Sequence, residues 1–203
     1  MGNFSSESET EVEAVSAKTF DLQPVLVGER LRLRPLKPDD FEKLYAVCSD
    51  PFIWEQHPEK TRYQRGTFER FFQGALDSKG ALIASDCKSG EVIGTSRFVG
   101  FDIQQKQVEV GYTFLARRCW GRGYNLEMKK LMLNHAFRYV NRIVFYIGEQ
   151  NMRSRYAVEK IGAQLVEKIR REPKEGAVYY AVVYAIERTD FYKNPIFFPV
   201  QEG

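Results

Sequence analysis

The chain switches repeatedly between two hydrophobic periods, and the switches mark its elements. Leu31-Arg32-Leu33-Arg34 alternates apolar and basic positions, as a strand with one buried face does. Pro38-Asp39-Asp40 then opens a helix to about Val47, its acids at the positive end of the helix dipole. Residues 50–65 read as loop with a short helix, and 67–77 as a second helix. Three runs, 81–87, 92–101 and 107–115, predict antiparallel strands, with Ser89-Gly90 and the segment 102–106 as turns. A helix over 126–139, a strand over 143–147 and a helix over 153–161 follow. Strands at 164–170 and 178–187, around a turn at Pro173 to Gly176, end the series. No internal repeat is visible. The order β-α-α-β-β-β-α-β-α-β-β predicts one α/β (α+β) domain. Its mixed, mostly antiparallel sheet has about seven strands flanked by helices.

Residues 1–22, with Glu7, Glu9, Glu11 and Glu13 among Ser and Thr, read as a disordered acidic tail. Residues 23–190 form the expected domain and 191–203 a C-terminal tail. Met1-Gly2-Asn3-Phe4-Ser5-Ser6 matches a myristoylation pattern short enough to arise by chance in a plain tail. Apolar residues make up 43% of the 203, enough for one sizeable core. Thirty basic against 27 acidic residues leave a net charge of +3, too balanced to make nucleic acid the main partner. No apolar run approaches the roughly 20 residues of a membrane span, and the acidic start has no signal-peptide pattern. Cys48, Cys87 and Cys119 lack metal-ligand spacing and an even count, so reduced thiols in a cytoplasmic protein are expected.

The chemistry concentrates in Arg117-Arg118-Cys119-Trp120-Gly121-Arg122-Gly123-Tyr124-Asn125, between a predicted strand and a predicted helix. Such a turn aims unpaired backbone N–H groups at an anion, and glycines let a bulky phosphate approach the main chain. No Lys-Ser/Thr follows the second glycine, which excludes a Walker A loop. The dinucleotide fingerprint lacks its third glycine.

Arg118-x-x-Gly121-x-Gly123 resembles the pyrophosphate loop of the GNAT (Gcn5-related N-acetyltransferase) superfamily. Three further motifs stand in the family's order: Val108-Glu109-Val110-Gly111-Tyr112 before the loop, Asn151-x-x-Ser154 after the next strand, and Glu159-Lys160-Ile161-Gly162-Ala163. Together they cover roughly Glu91 to Ala163. The opening Glu29-Arg30-Leu31-Arg32-Leu33-Arg34-Pro35-Leu36 and the N-x-x-S motif resemble the RimJ/RimL-like branch. The resemblance implies an acetyl-CoA-dependent N-acetyltransferase, most like enzymes acting on protein N-terminal amines, and no metal.

It also implies roles. Backbone groups from Arg117 to Asn125 would hold the pyrophosphate. Tyr112, Thr113, Phe114 and Leu115 would pair with the pantetheine arm like an added strand, with Asn151 bonding its amides. Asn151 equally suits an N-cap. An attacking amine must be neutral, so a base is required. Glu109, on the face opposite Val108 and Val110, is the candidate; a structural pairing with Arg97 is the alternative. Many family members protonate the leaving thiolate with a tyrosine, but the matching position is Val158, and Tyr156 lies about 200° away around the helix. Ser154 would serve instead, or simply bond a backbone carbonyl. Trp54, His57 and Tyr63 fall in a loop that borders the acceptor site in this fold.

Two histidines without a Cys or carboxylate cluster make no metal site. His135 reads as a packing or surface residue. Cys119 reads as a bystander, although its basic turn should lower a thiol pKa. Rival functions are acetylation of a small amine, such as an amino sugar, amino-acid derivative or polyamine; a non-catalytic CoA-binding module; and an RNA- or ribosome-associated protein. The sequence leaves the oligomeric state open, a homodimer included.

Overall fold

The computed structural model describes residues 20–171 and 179–199. The acidic N-terminal stretch, the turn at Pro173 to Gly176 and the last four residues lie outside them. The sheet has eight strands: β1 (Leu26–Val27), β2 (Leu31–Pro35), β3 (Ala81–Asp86), β4 (Val92–Asp102), β5 (Gln107–Leu115), β6 (Arg142–Gly148), β7 (Gln164–Arg171) and β8 (Tyr179–Glu187). They lie in the order β1-β2-β3-β4-β5-β6-β8-β7. All neighbouring pairs are antiparallel except β5 and β6. A parallel pair needs a long crossover, here α3 (Tyr124–Ala136). Helices α1 (Phe41–Cys48) and α2 (Arg65–Asp77) separate β2 from β3, and α4 (Met152–Glu159) separates β6 from β7.

Most elements fall where the hydrophobic periods put them. The sheet gains one strand over the expected count, because two-residue β1 is too short to show alternation. The domain also extends past both boundaries read from the sequence. Phe20, assigned to the tail, is buried: its ring stacks on Tyr139 and meets Phe98 and Phe101 edge-on. At the other end α5 (Arg188–Lys193) carries Phe191 into the core, and Phe197 follows it. Those rings are 5.0 Å apart between centroids, so 191–199 is packed structure.

Two irregularities in the central strands open the molecule. β5 pairs with β6 only at Gln107–Arg142, Val108–Ile143 and Glu109–Val144; beyond these the strands part. On its other side, β5 carries a bulge. Thr95 pairs with Phe114 and Arg97 with Gly111, so three steps on β5 match two on β4. The extra residue is Tyr112, at φ +54°, a left-handed conformation rare for a bulky side chain. The bulge reverses the alternation. Thr113 meets Lys129 of α3, whereas Phe114 meets Trp54 and α2's Phe71.

Candidate active site

The parted strands form the walls of a cleft of about 470 Å³. It runs from Trp54 and His57, through Gly111–Leu115 of β5 and Phe145–Gly148 of β6, to Gly121, Asn125 and Lys129 at the start of α3. Asn151, Ser154 and Val158 of α4 complete its lining. Sequence motifs far apart in the chain thus converge on one opening.

The turn before α3 has the conformation that its glycines predict. Gly121 and Gly123 stand at φ +68° and +84°, where an L side chain is strained. No atom lies within 4 Å of a Cβ placed on Gly121, so that surface is open. Gly123 is the N-cap and supplies no side-chain cap, leaving the first-turn N–H groups without a side-chain acceptor. Arg118 pairs with Glu91 at 2.7 Å, and Arg117 pairs with Asp50. Both arginines are about half exposed, so these pairs are easily exchanged for an anion. Tyr124 donates to Asp86, tying the turn to the end of β3. Cys119 departs from expectation: it is buried, and desolvation raises its thiol pKa against the pull of Arg118.

The loop after α1 closes the other end. Trp54 is buried, with Nε1 donating to Cys48 O at 2.8 Å and its ring meeting Phe114 edge-on. A Cβ on Gly148 would lie 2.5 Å from Pro58, so the absent side chain lets the loop reach β6. Gln56 Oε1 accepts from Arg153 N at 2.9 Å and fixes the loop to α4. His57 is uncharged at neutral pH, because burial and then Arg62 push it down to about 3. Arg62 lies over both Trp54 and Phe71, 4.9 and 4.7 Å from the ring centroids. Tyr63 packs against the core and is absent from the cleft wall.

Asn151 caps α4, its Oδ1 accepting from Ser154 N at 3.3 Å, and still lines the cleft. Ser154 lines the same space. Among the described residues its hydroxyl meets no hydrogen-bond partner, so the backbone carbonyl bond open to a helix serine is not made. Val158 is buried on the cleft wall, while Tyr156 is exposed. Glu109 occupies the last paired rung of β5 beside β6, outside the cleft lining, with its carboxylate against Gly111. Arg97 is buried nearby, 4.2 Å from the Tyr112 ring centroid. Burial pulls its pKa down to about 10, and the charge of Glu109 opposes that fall.

Two features of the site escaped the sequence reading. One is Lys129, buried in α3 and lining the cleft. Its signal was present: Leu126, Lys129, Leu133 and Ala136 share one helical stripe, and a lysine there interrupts an apolar face. The other is Glu127. Its carboxylate accepts from Arg30 N at 2.8 Å and Leu31 N at 3.3 Å, and pairs with Arg30 Nη1 at 3.2 Å. It thereby fastens the β1–β2 turn to the start of α3. His135, buried, bonds Asp21 O at 2.7 Å, the packing role expected of it. Among the described residues no His/Cys/Asp/Glu group could hold a metal, and no helix is long and apolar enough to cross a membrane.

The family model described as an acetyltransferase (GNAT) domain matches residues 30–164. The uncharacterized protein YkkB of Bacillus subtilis (strain 168) is 32% identical over 162 residues, 76% of this chain and 93% of YkkB. Among solved structures, a GCN5-related N-acetyltransferase from Brucella melitensis superposes with a TM-score of 0.72 at 19% identity, covering 86% of this chain and 82% of its own. Mycobacterium smegmatis RimJ, in complex with CoA-disulfide, gives 0.65 at 17% identity over 86% and 90%. At these identities the two structures share the fold with this chain.

Proposed function

Since the chain belongs to the GNAT acetyltransferase family and is an N-acetyltransferase using acetyl-CoA, we propose that its acceptor is a protein N-terminal α-amine. One observation carries this reading. The cleft passes from Ile53, Trp54 and His57 to the helix start, and among the described residues no carboxylate lines it. A polyamine brings several positive charges into such a space and finds no anion to offset them. An α-amine brings one, with a pKa of about 8, and loses it on reaction. The opening strand and Asn151-x-x-Ser154 support the same branch, since both resemble RimJ/RimL sequences.

The residues present fit acetyl-CoA. The uncapped start of α3, with Gly121, Gly123, Arg117, Arg118 and Arg122 around it, would receive the pyrophosphate. β5 edge groups from Tyr112 to Leu115 would pair with the pantetheine amides, and Asn151 would bond the arm from α4. The thioester would then lie in the gap between β5 and β6, where an N–H group of Tyr112 or Thr113 would meet its carbonyl oxygen. Glu109, outside the cleft lining, would accept the acceptor's proton through water, from the Trp54 and His57 side. Ser154 would donate its hydroxyl to the sulfur.

The test is CoA-thiol release with a panel of peptides bearing free N-termini, N-blocked lysine peptides, amino sugars and polyamines. Turnover confined to free N-termini, with Glu109→Gln lowering kcat by about 10²–10⁴-fold, is expected. Preference for a polyamine or amino sugar would overturn the acceptor assignment.

A further inference from the structure

One cation inside the cleft has no counter-ion among the described residues. Lys129 is 4% exposed, at a stripe position that packing alone would fill with leucine. Its Nζ donates to Thr113 Oγ1 at 2.8 Å and lies 5.6 Å from the Phe145 ring centroid. Thr113 Oγ1 in turn shares a hydrogen bond of 2.8 Å with the buried Ser96 hydroxyl. The other titratable side chains on the cleft wall are His57, Tyr112, Tyr146 and Arg153, and none is a carboxylate. A buried ammonium without an anion is strongly disfavoured, and desolvation alone pushes Lys129 down to about 7.

Acetyl transfer would supply the missing anion. When the C–S bond breaks, its electron pair stays on sulfur, and a thiolate forms between β5 and β6. A neutral serine hydroxyl can hydrogen-bond that sulfur but cannot neutralise it, and Val158 offers no proton. Resting on the acetyl-CoA reading of this cleft, we infer that Lys129 is a catalytic residue that faces the thioester sulfur and neutralises the departing thiolate.

In this step the Lys129 ammonium holds the thiolate as an ion pair, then gives one proton to sulfur as the product leaves for water. CoA leaves as the thiol, and the uncharged lysine regains its proton from solvent. The proton released by the acceptor nitrogen goes to Glu109 or water, so charge balances. The thiolate also draws the lysine toward its charged form as it develops, since an opposite charge at short range favours ionisation.

The experiment titrates the thiol of bound CoA, which needs no acceptor and no turnover. Calorimetry first establishes CoA binding; the thiolate is then followed by its ultraviolet absorbance as pH rises. In the wild-type complex the thiolate is expected at lower pH than in free CoA. Lys129→Met and Lys129→Gln, binding CoA within about threefold of wild type, are expected to shift that ionisation upward by one pH unit or more, a tenfold change in the thiolate ratio. Equal ionisation in wild type and either variant would overturn the proposal. If neither variant folds, wild type decides alone: ionisation at or above that of free CoA overturns it. Absence of CoA binding would instead refute the acetyl-CoA reading, and is recognised before any titration begins.

Discussion

Removing the Glu127 carboxylate should destabilise the protein, and adding a methyl group at Gly28 should do so through the same bonds. Glu127 is 13% exposed and serves two backbone donors and one guanidinium. Leu31 is fully buried, so its N–H has no ready replacement, whereas water reaches Arg30. A charge-assisted hydrogen bond is worth about 1.5–3 kcal/mol when buried, and the half-exposed ion pair under about 1 kcal/mol. Glu127→Ala should therefore lose about 2–4 kcal/mol. A Cβ on Gly28 would lie 2.0 Å from Glu127 Oε1, so Gly28→Ala must expel the carboxylate and lose a similar amount. In the Glu127→Ala background the obstruction is gone. Gly28 does not occupy the left-handed region, and alanine there even gains about 0.4–1 kcal/mol by restricting the unfolded chain. The double variant should thus be no less stable than Glu127→Ala, a coupling of at least about 2 kcal/mol. Thermal unfolding by circular dichroism measures it: at about 2–4 °C per kcal/mol for this size, each single variant should lose roughly 5–15 °C and the double no more. Additive losses, within about 0.5 kcal/mol, would refute the reasoning.

Phe20→Ala should cost about 3–5 kcal/mol, and a chain begun at Gln23 should lose at least as much, because Asp21 O also leaves His135; urea denaturation checks both. Lys129 binds its proton less well folded than unfolded. The unfolded chain therefore holds more protons between about pH 7 and 10.4, and stability should rise with pH there, by up to about 1.4 kcal/mol per unit. Lys129→Met should remove this slope, so methionine should help more at pH 6 than at pH 9 in denaturation midpoints.

The strand–turn–helix around Gly121 and Gly123 was legible because its chemistry is local: two glycines, a run of arginines and the start of an amphipathic helix lie within ten residues. The Asn151 cap was legible for the same reason. Tyr112 was not, since nothing in a tyrosine announces a left-handed backbone; pairing with β4 imposes it. Phe20 and Phe191 were left in tails because one aromatic ring among polar neighbours shows no period, and its burial depends on Tyr139, Phe98 and Phe137 elsewhere in the chain. Tyr63 was placed near the acceptor by its loop, but loop membership does not fix which way a side chain turns.

The Tyr112 bulge makes the cleft depend on where β5 places its extra residue as much as on which residues it contains. With one residue more than its partner, the strand shows Glu109 and Gly111 to one side of the sheet, then Thr113 to the other. Were Tyr112 to take an ordinary rung, alternation would send Thr113 toward Trp54 and Phe114 toward Lys129; deleting it would remove the bulge yet keep both on their present sides. Substitutions along this strand leave the two sides as they are, whereas moving the extra residue beyond Phe114 would exchange Thr113 and Phe114 between them. A relative that lacks the bulge should therefore align with its gap at Tyr112, and a one-residue gap elsewhere inside β5 would be aligning different sides of the sheet.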